Sequence, residues 1–187
     1  MTVRRGLRLV TGGLALVFLL SMMLVNTGSA FAAKKVTIGV SIRSLSEERW
    51  AREKVLMEEK AKKLGADIIF TDANNDEFVQ NSQIENLIAR GVDVLIIIAR
   101  NSDVAANGVE MAAKEGIPCI AYDVAIYHPH AIYVSFDSVR VGYEMAKAVV
   151  ERVPKGRCFW IGGSPTDDNA YLVRKGHFQV LQPLTHL

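Results

Sequence analysis

Cysteine is scarce in this chain: Cys119 and Cys158 are the only two among 187 residues. Two thiols cannot build the dense disulfide framework of a small secreted scaffold. Each lies inside an apolar, strand-like run, so both are expected as buried free thiols that pack as small hydrophobes. Histidine is sparse too, at four residues. His128 and His130 flank Pro129 in a loop and have no partner at metal-ligand spacing. The Walker lysine, the GxGxxG spacing and the GxSxG elbow are all missing. Their absence removes the sequence signals for a nucleotide cradle and for an α/β-hydrolase nucleophile. No acid/base pair is positioned either, since Asp167 and Asp168 are merely adjacent. No enzyme and no cofactor are expected.

A strong net charge is also lacking. The chain has 22 basic and 20 acidic residues, a formal charge of +2. The small excess belongs to the first residues, where Arg4, Arg5 and Arg8 stand without an acid. An apolar run follows over residues 12–25, shorter than the ~20 residues that span a bilayer. It ends in the small-x-small pattern Ala30-Phe31-Ala32. Residues 1–32 therefore read as a cleavable signal peptide, which implies a periplasmic or otherwise extracytoplasmic location. Without those three arginines, 19 basic residues face 20 acidic ones, a net charge of −1. No basic patch survives that would suit nucleic acid.

What is present is a regular alternation of strands and helices. The stretch 91–123, GVDVLIIIARNSDVAANGVEMAAKEGIPCIAYD, is one complete strand, helix, strand unit. DVLIIIA is apolar without alternation, as a parallel strand covered on both faces requires. Asn101 and Ser102 suit a helix N-cap, Gly116 a left-handed C-cap, and Pro118 follows just beyond. Further strands are expected over 36–42, 66–70, 132–136 and 158–161, with helices between them. Trp50, Leu56, Ala61 and Leu64 are expected to line the buried side of the first helix. Phe78, Ile84, Leu87 and Ile88 would do so in the second. Val141, Met145, Ala146, Val149 and Val150 would share a side in the helix after Ser138. The pattern predicts an α/β fold with a parallel sheet flanked by helices.

Polar residues recur where these strands end: Arg43 and Ser44, Asp72 and Asn74, Arg100 and Asn101, Asp123, Asp137, then Ser164, Asp167 and Asn169. Ligands of open parallel sheets sit beyond the carboxyl ends of the strands. Acids, amides and guanidinium groups along one rim suit a polyhydroxylated ligand, whose hydroxyls both donate and accept.

Several stretches together resemble one family, the exported sugar-binding proteins of ABC transporters, and within it the D-xylose-binding branch. They are ERW (48–50), QNSQIENLIARGVDVLIII (80–98), AYD (121–123), YVSFDSVRVG (133–142) and GGSPTDDNA (162–170) with Arg174. The resemblance implies a periplasmic-binding-protein-like fold, in which two α/β lobes close on a pentose. Carried over by motif, the substrate-binding residues are Arg49 and Trp50 from the first loop and Asp123 from the first lobe's strand end. Asp167, Asn169 and Arg174 come from the second lobe. The arginines and acids would bond the sugar hydroxyls, at ~1.5–3 kcal/mol each for charge-assisted bonds, and Trp50 would stack on the ring. In the family an arginine follows the AYD aspartate as a ligand contact; Val124 stands there instead.

The expected organisation is a signal peptide at 1–32, a first α/β lobe at 33–137 and the start of an incomplete second lobe at 138–187. The resemblance further implies an ABC transporter permease as membrane partner, with a chemoreceptor as a second possible reader, and no metal. Because family members continue past the length seen here, weak or no xylose binding is expected. Two other readings stay open: a non-functional truncated remnant, and an exported α/β enzyme acting on a sugar.

Overall fold

A computed structural model describes residues 34–182; the signal-peptide reading of residues 1–32 falls outside the described residues. Five strands form one parallel sheet: β1 (Thr37–Ile42), β2 (Asp67–Asp72), β3 (Val94–Ile98), β4 (Cys119–Tyr122) and β5 (Ala131–Val134), in the order β2-β1-β3-β4-β5. Their residue types explain the placement. The apolar runs of β1 and β3 take the centre, where Val40, Ile42, Leu95, Ile97 and Ile98 are buried. All five strands run parallel, so their carboxyl ends share one rim, and the strand order reverses between β1 and β3.

Helices α1 (Glu48–Leu64), α2 (Glu77–Ala89) and α3 (Ser102–Lys114) connect the first four strands. Each begins or ends on a residue suited to the task. Asp76 accepts from the amides of Phe78 and Val79, and Asn101 from those of Asp103 and Val104. Gly65, at φ 72°, stops α1 by donating its amide to Ala61 and Lys62, a left-handed cap that costs glycine least.

The two faces of the sheet are covered unequally. Ile84 and Leu87 of α2, Ala105, Val109 and Ala112 of α3, and Leu95, Ile97 and Ala121 of the sheet make the larger core. On the opposite face Trp50 packs with Val40, Ile42 and Ile98, and Met57, Ile68, Phe70 and Tyr122 fill in around them. Leu56 and Leu64 were expected to be buried here but are 62% and 69% exposed. They flank an apolar groove of about 290 Å³ between α1 and the sheet. Helical periodicity marks an apolar side, and the single helix on this face does not cover it. Phe78 is likewise exposed at the first turn of α2, while Ile84 and Leu87 are buried as expected.

The β4–β5 connection has no helix. Val124, Ala125 and Ile126 are buried in it, and Val124 and Ile126 join the larger core. Apolar loop side chains thus do the covering that a crossover helix usually does.

Helices α4 (Ser138–Arg152) and α5 (Asp168–Leu181) follow. They touch backbone to backbone. A Cβ placed on Gly142 would lie 2.0 Å from the Val173 carbonyl oxygen, and one on Gly176 2.0 Å from that of Val139. The buried positions of α4 are accordingly Ser138, Gly142 and Ala146. Val141, Met145 and Val149 are exposed instead, because the close crossing selects the small side chains rather than the apolar stripe.

The strand expected over 158–161 is not formed. Residues 157–164 carry no ladder, and Phe159 and Ile161 are 86% and 94% exposed. A strand needs a neighbour for its backbone groups, and among the described residues none pairs with this segment. Cys158 is exposed with it, contrary to the expected buried thiol, while Cys119 is buried as expected.

Candidate functional site

The strand-end rim gathers its polar groups through hydrogen bonds among themselves. Asp123 directly follows β4 and has a left-handed backbone, with φ 68°. Its carboxylate accepts from Arg49 Nη2 at 2.8 Å and from Asn169 Nδ2 at 3.3 Å. Arg49, in the first turn of α1, also bonds Glu53 at 2.7 Å. Its guanidinium carbon lies 4.3 Å from the centre of the Trp50 ring. Asn169, in the first turn of α5, accepts from the Ser138 hydroxyl at 3.0 Å as well. Side chains from α1 and α5 thus converge on the carboxylate that follows β4.

A second pair lies alongside. Arg43, immediately after β1, donates to Asp167 at 2.9 Å and to Glu47 at 3.0 and 3.1 Å. Asp167 also caps α5 by accepting from the Asn169 amide at 3.0 Å. Farther round the rim, Arg100 reaches the Thr166 hydroxyl at 3.2 Å. The loop carrying Arg100 is anchored by buried Gln80, which accepts from the Arg100 amide and donates to the Ile98 carbonyl.

The electrostatics follow from these contacts. Burial works against the charge of Arg43, yet the bonds to Glu47 and Asp167 outweigh it and raise its pKa. Arg49 is raised in the same way, burial being overcome by Glu53 and Asp123. Both stay cationic. For Tyr122, burial and then the bond to Glu53 push the phenol up, so it remains neutral. Among the described residues no group of three or more His, Cys, Asp or Glu side chains forms a metal site. The set can bind and orient a polar neutral molecule; it holds no activated nucleophile.

Of the six residues expected at the ligand, Arg49, Trp50, Asp123 and Asn169 meet in one group, and Asp167 sits two residues from Asn169 at the same helix start. Arg174 is placed elsewhere. Farther along α5, it stacks on Trp160 at 5.5 Å and Phe178 at 5.0 Å. Trp50 is 1% exposed. Stacking a sugar on it therefore requires the Arg49 guanidinium to move. Val124, where the resemblance implies an arginine, is fully buried in the core. Ser135 and Tyr133 were not singled out; both donate to the Asp123 carbonyl oxygen, at 2.7 and 3.3 Å. Both lie within the stretch YVSFDSVRVG that contributes to the family resemblance, at the end of the strand beside β4.

Residues 38–186 match the family described as the periplasmic binding protein domain. The chain is 46% identical over 164 residues to the D-xylose-binding periplasmic protein of Escherichia coli (strain K12), covering 87% of this chain and 49% of that protein. It is 43% identical to the protein of the same description from Haemophilus influenzae, covering 91% of this chain and 51% of that one. The chain thus spans about half the length of these curated relatives. Among solved structures, an ABC transporter solute-binding protein from Clostridium phytofermentans with bound β-D-glucose superposes with a TM-score of 0.74 at 29% identity, covering 80% of this chain and 49% of that one. A Caulobacter myo-inositol-binding protein bound to myo-inositol gives 0.75 at 25% identity, with 83% and 54% covered.

Proposed function

Since the chain belongs to the periplasmic binding protein family, we propose that it captures a free monosaccharide outside the cytoplasm, D-xylose first among candidates, for an ABC importer. One observation carries the reading. Arg49, Asp123 and Asn169 place a guanidinium, a carboxylate and an amide on one another at 2.8 and 3.3 Å, beside an indole ring. Sugar hydroxyls can take the place of each partner, donating to Asp123 and accepting from Arg49 and Asn169. The similarity to two D-xylose-binding proteins supports the choice of sugar. Export by the leader at 1–32 and delivery to a membrane permease belong to the same reading. So does the division into a lobe at 33–137 and the beginning of a second at 138–187. The relatives and structures named above are binding proteins, and the rim offers binding groups without a positioned base.

Thermal unfolding against a panel of pentoses and hexoses tests this, because a ligand that binds only the folded state raises the melting temperature. D-xylose is expected to give a small rise that saturates only at high sugar concentration, in keeping with the weak binding expected from the sequence, and larger than that from D-glucose. No rise with any sugar overturns the reading.

A further inference from the structure

Asp123 is the one described non-glycine residue with positive φ outside the turn at Asn74 and Asn75. A residue with a Cβ holds that conformation only where its surroundings fix it. Here β5 grips both sides of the residue. The Asp123 amide donates to the Val134 carbonyl at 2.8 Å, and the next residue along, Ser135, donates its hydroxyl to the Asp123 carbonyl at 2.7 Å. Two other donors share that oxygen: Asn169 Nδ2 at 3.0 Å and the Tyr133 hydroxyl at 3.3 Å. A carbonyl oxygen has two lone pairs, and the longest of the three bonds is the weakest. Asn169 divides its amide between this carbonyl and the Asp123 carboxylate. A sugar that recruits the Asn169 amide leaves Ser135 as the strong donor on the carbonyl.

We propose that Ser135 is a positioning residue for sugar recognition: its hydroxyl holds Asp123 left-handed, and that backbone turn aims the carboxylate into the rim toward Arg49 and Asn169. For its ligand this rests on the sugar-binding reading above; for its geometry it rests on the hydrogen bonds alone. Ser135 itself contacts no sugar.

The test compares the full chain with S135A and S135T. D-xylose and D-ribose, which differ at one hydroxyl, are titrated against each protein, and the backbone chemical shifts of Asp123 are followed by NMR. S135A is expected to weaken D-xylose binding about five- to tenfold, the worth of one lost neutral hydrogen bond. It should also lower the xylose-to-ribose preference and move the Asp123 shifts away from left-handed values. S135T keeps the hydroxyl and restores all three. Wild-type affinity, preference and Asp123 shifts in S135A overturn the proposal, as does equal loss in S135A and S135T. If the unaltered chain binds neither sugar, the sugar reading fails separately. The Asp123 shifts then decide the positioning role: unchanged in S135A, they overturn it, and displaced, they support it.

Discussion

The guanidinium of Arg49 lies 4.3 Å over the ring of its neighbour Trp50, and the same side chain holds Asp123 at 2.8 Å. One cation therefore occupies both the apolar seat and the carboxylate of the rim. A sugar that enters here must exchange with it. Exchange is feasible because Arg49 is 40% exposed and has Glu53, one turn along, as a second partner.

Replacing Arg49 with alanine uncovers the indole and leaves the Asp123 carboxylate, only 9% exposed, with Asn169 as its remaining side-chain partner. A loss of about 1.5–2 kcal/mol is expected, at the low end of the range for a hydrogen bond to a charged group because Arg49 is partly exposed. Urea unfolding reads it. In a W160F background, Trp50 emission should shift to longer wavelength. Unchanged emission would show that the ring remains covered.

At Asp123 the backbone and the carboxylate can be separated. D123A removes the carboxylate and keeps a Cβ at φ 68°; D123G removes both. Glycine tolerates the left-handed region, so D123G should be more stable than D123A by about 1 kcal/mol. Both should lose sugar affinity alike. Equal stability in denaturant would mean that the turn stores no strain.

The crossing of α4 and α5 leaves no room for a methyl group. G142A and G176A each drive a Cβ to 2.0 Å from a backbone oxygen, so the helices must separate. The expected cost is at the upper end of the ~1–3 kcal/mol for overpacking. Faster proteolysis between residues 153 and 167 should accompany it. A variant as stable and as resistant as the original would refute the close approach.

The two thiols should behave oppositely. Cys158 is exposed and Cys119 buried, so a thiol reagent should titrate one equivalent in the native protein and two in denaturant. Burial also pushes the Cys119 thiol from 9.0 to about 11. Above pH 9 the unfolded chain ionises this group while the folded one keeps its proton. The unfolded state then binds fewer protons, and stability falls as pH rises from 9 to 11. C119A should lack that share of the alkaline loss, as denaturation at pH 8 and pH 10.5 would show.

Much of this architecture is legible in the sequence. β3 is apolar without alternation, which is how a central parallel strand must read, and Asp76, Asn101 and Gly65 cap as their chemistry dictates. Other features depend on neighbours that sequence does not reveal. Leu56, Leu64 and Met145 stand at helical spacing, yet whether a stripe is covered is decided by what lies across from it. The run at 158–161 has strand composition and no strand beside it. At the rim, Asp123 was marked by its place after β4, and Asn169 by its motif. Ser135 lay in a motif too, yet nothing in the sequence tied it to Asp123, because the link is a single hydroxyl bond to a backbone carbonyl oxygen twelve residues away.

Asp167 divides its carboxylate between two tasks: one oxygen accepts from the first turn of α5, and the other pairs with Arg43 beyond β1. A molecule that draws Arg43 away takes one of the two groups that hold this carboxylate and leaves the cap on α5 as the other. The start of α5 is therefore tied to the loop after β1 through a single acid.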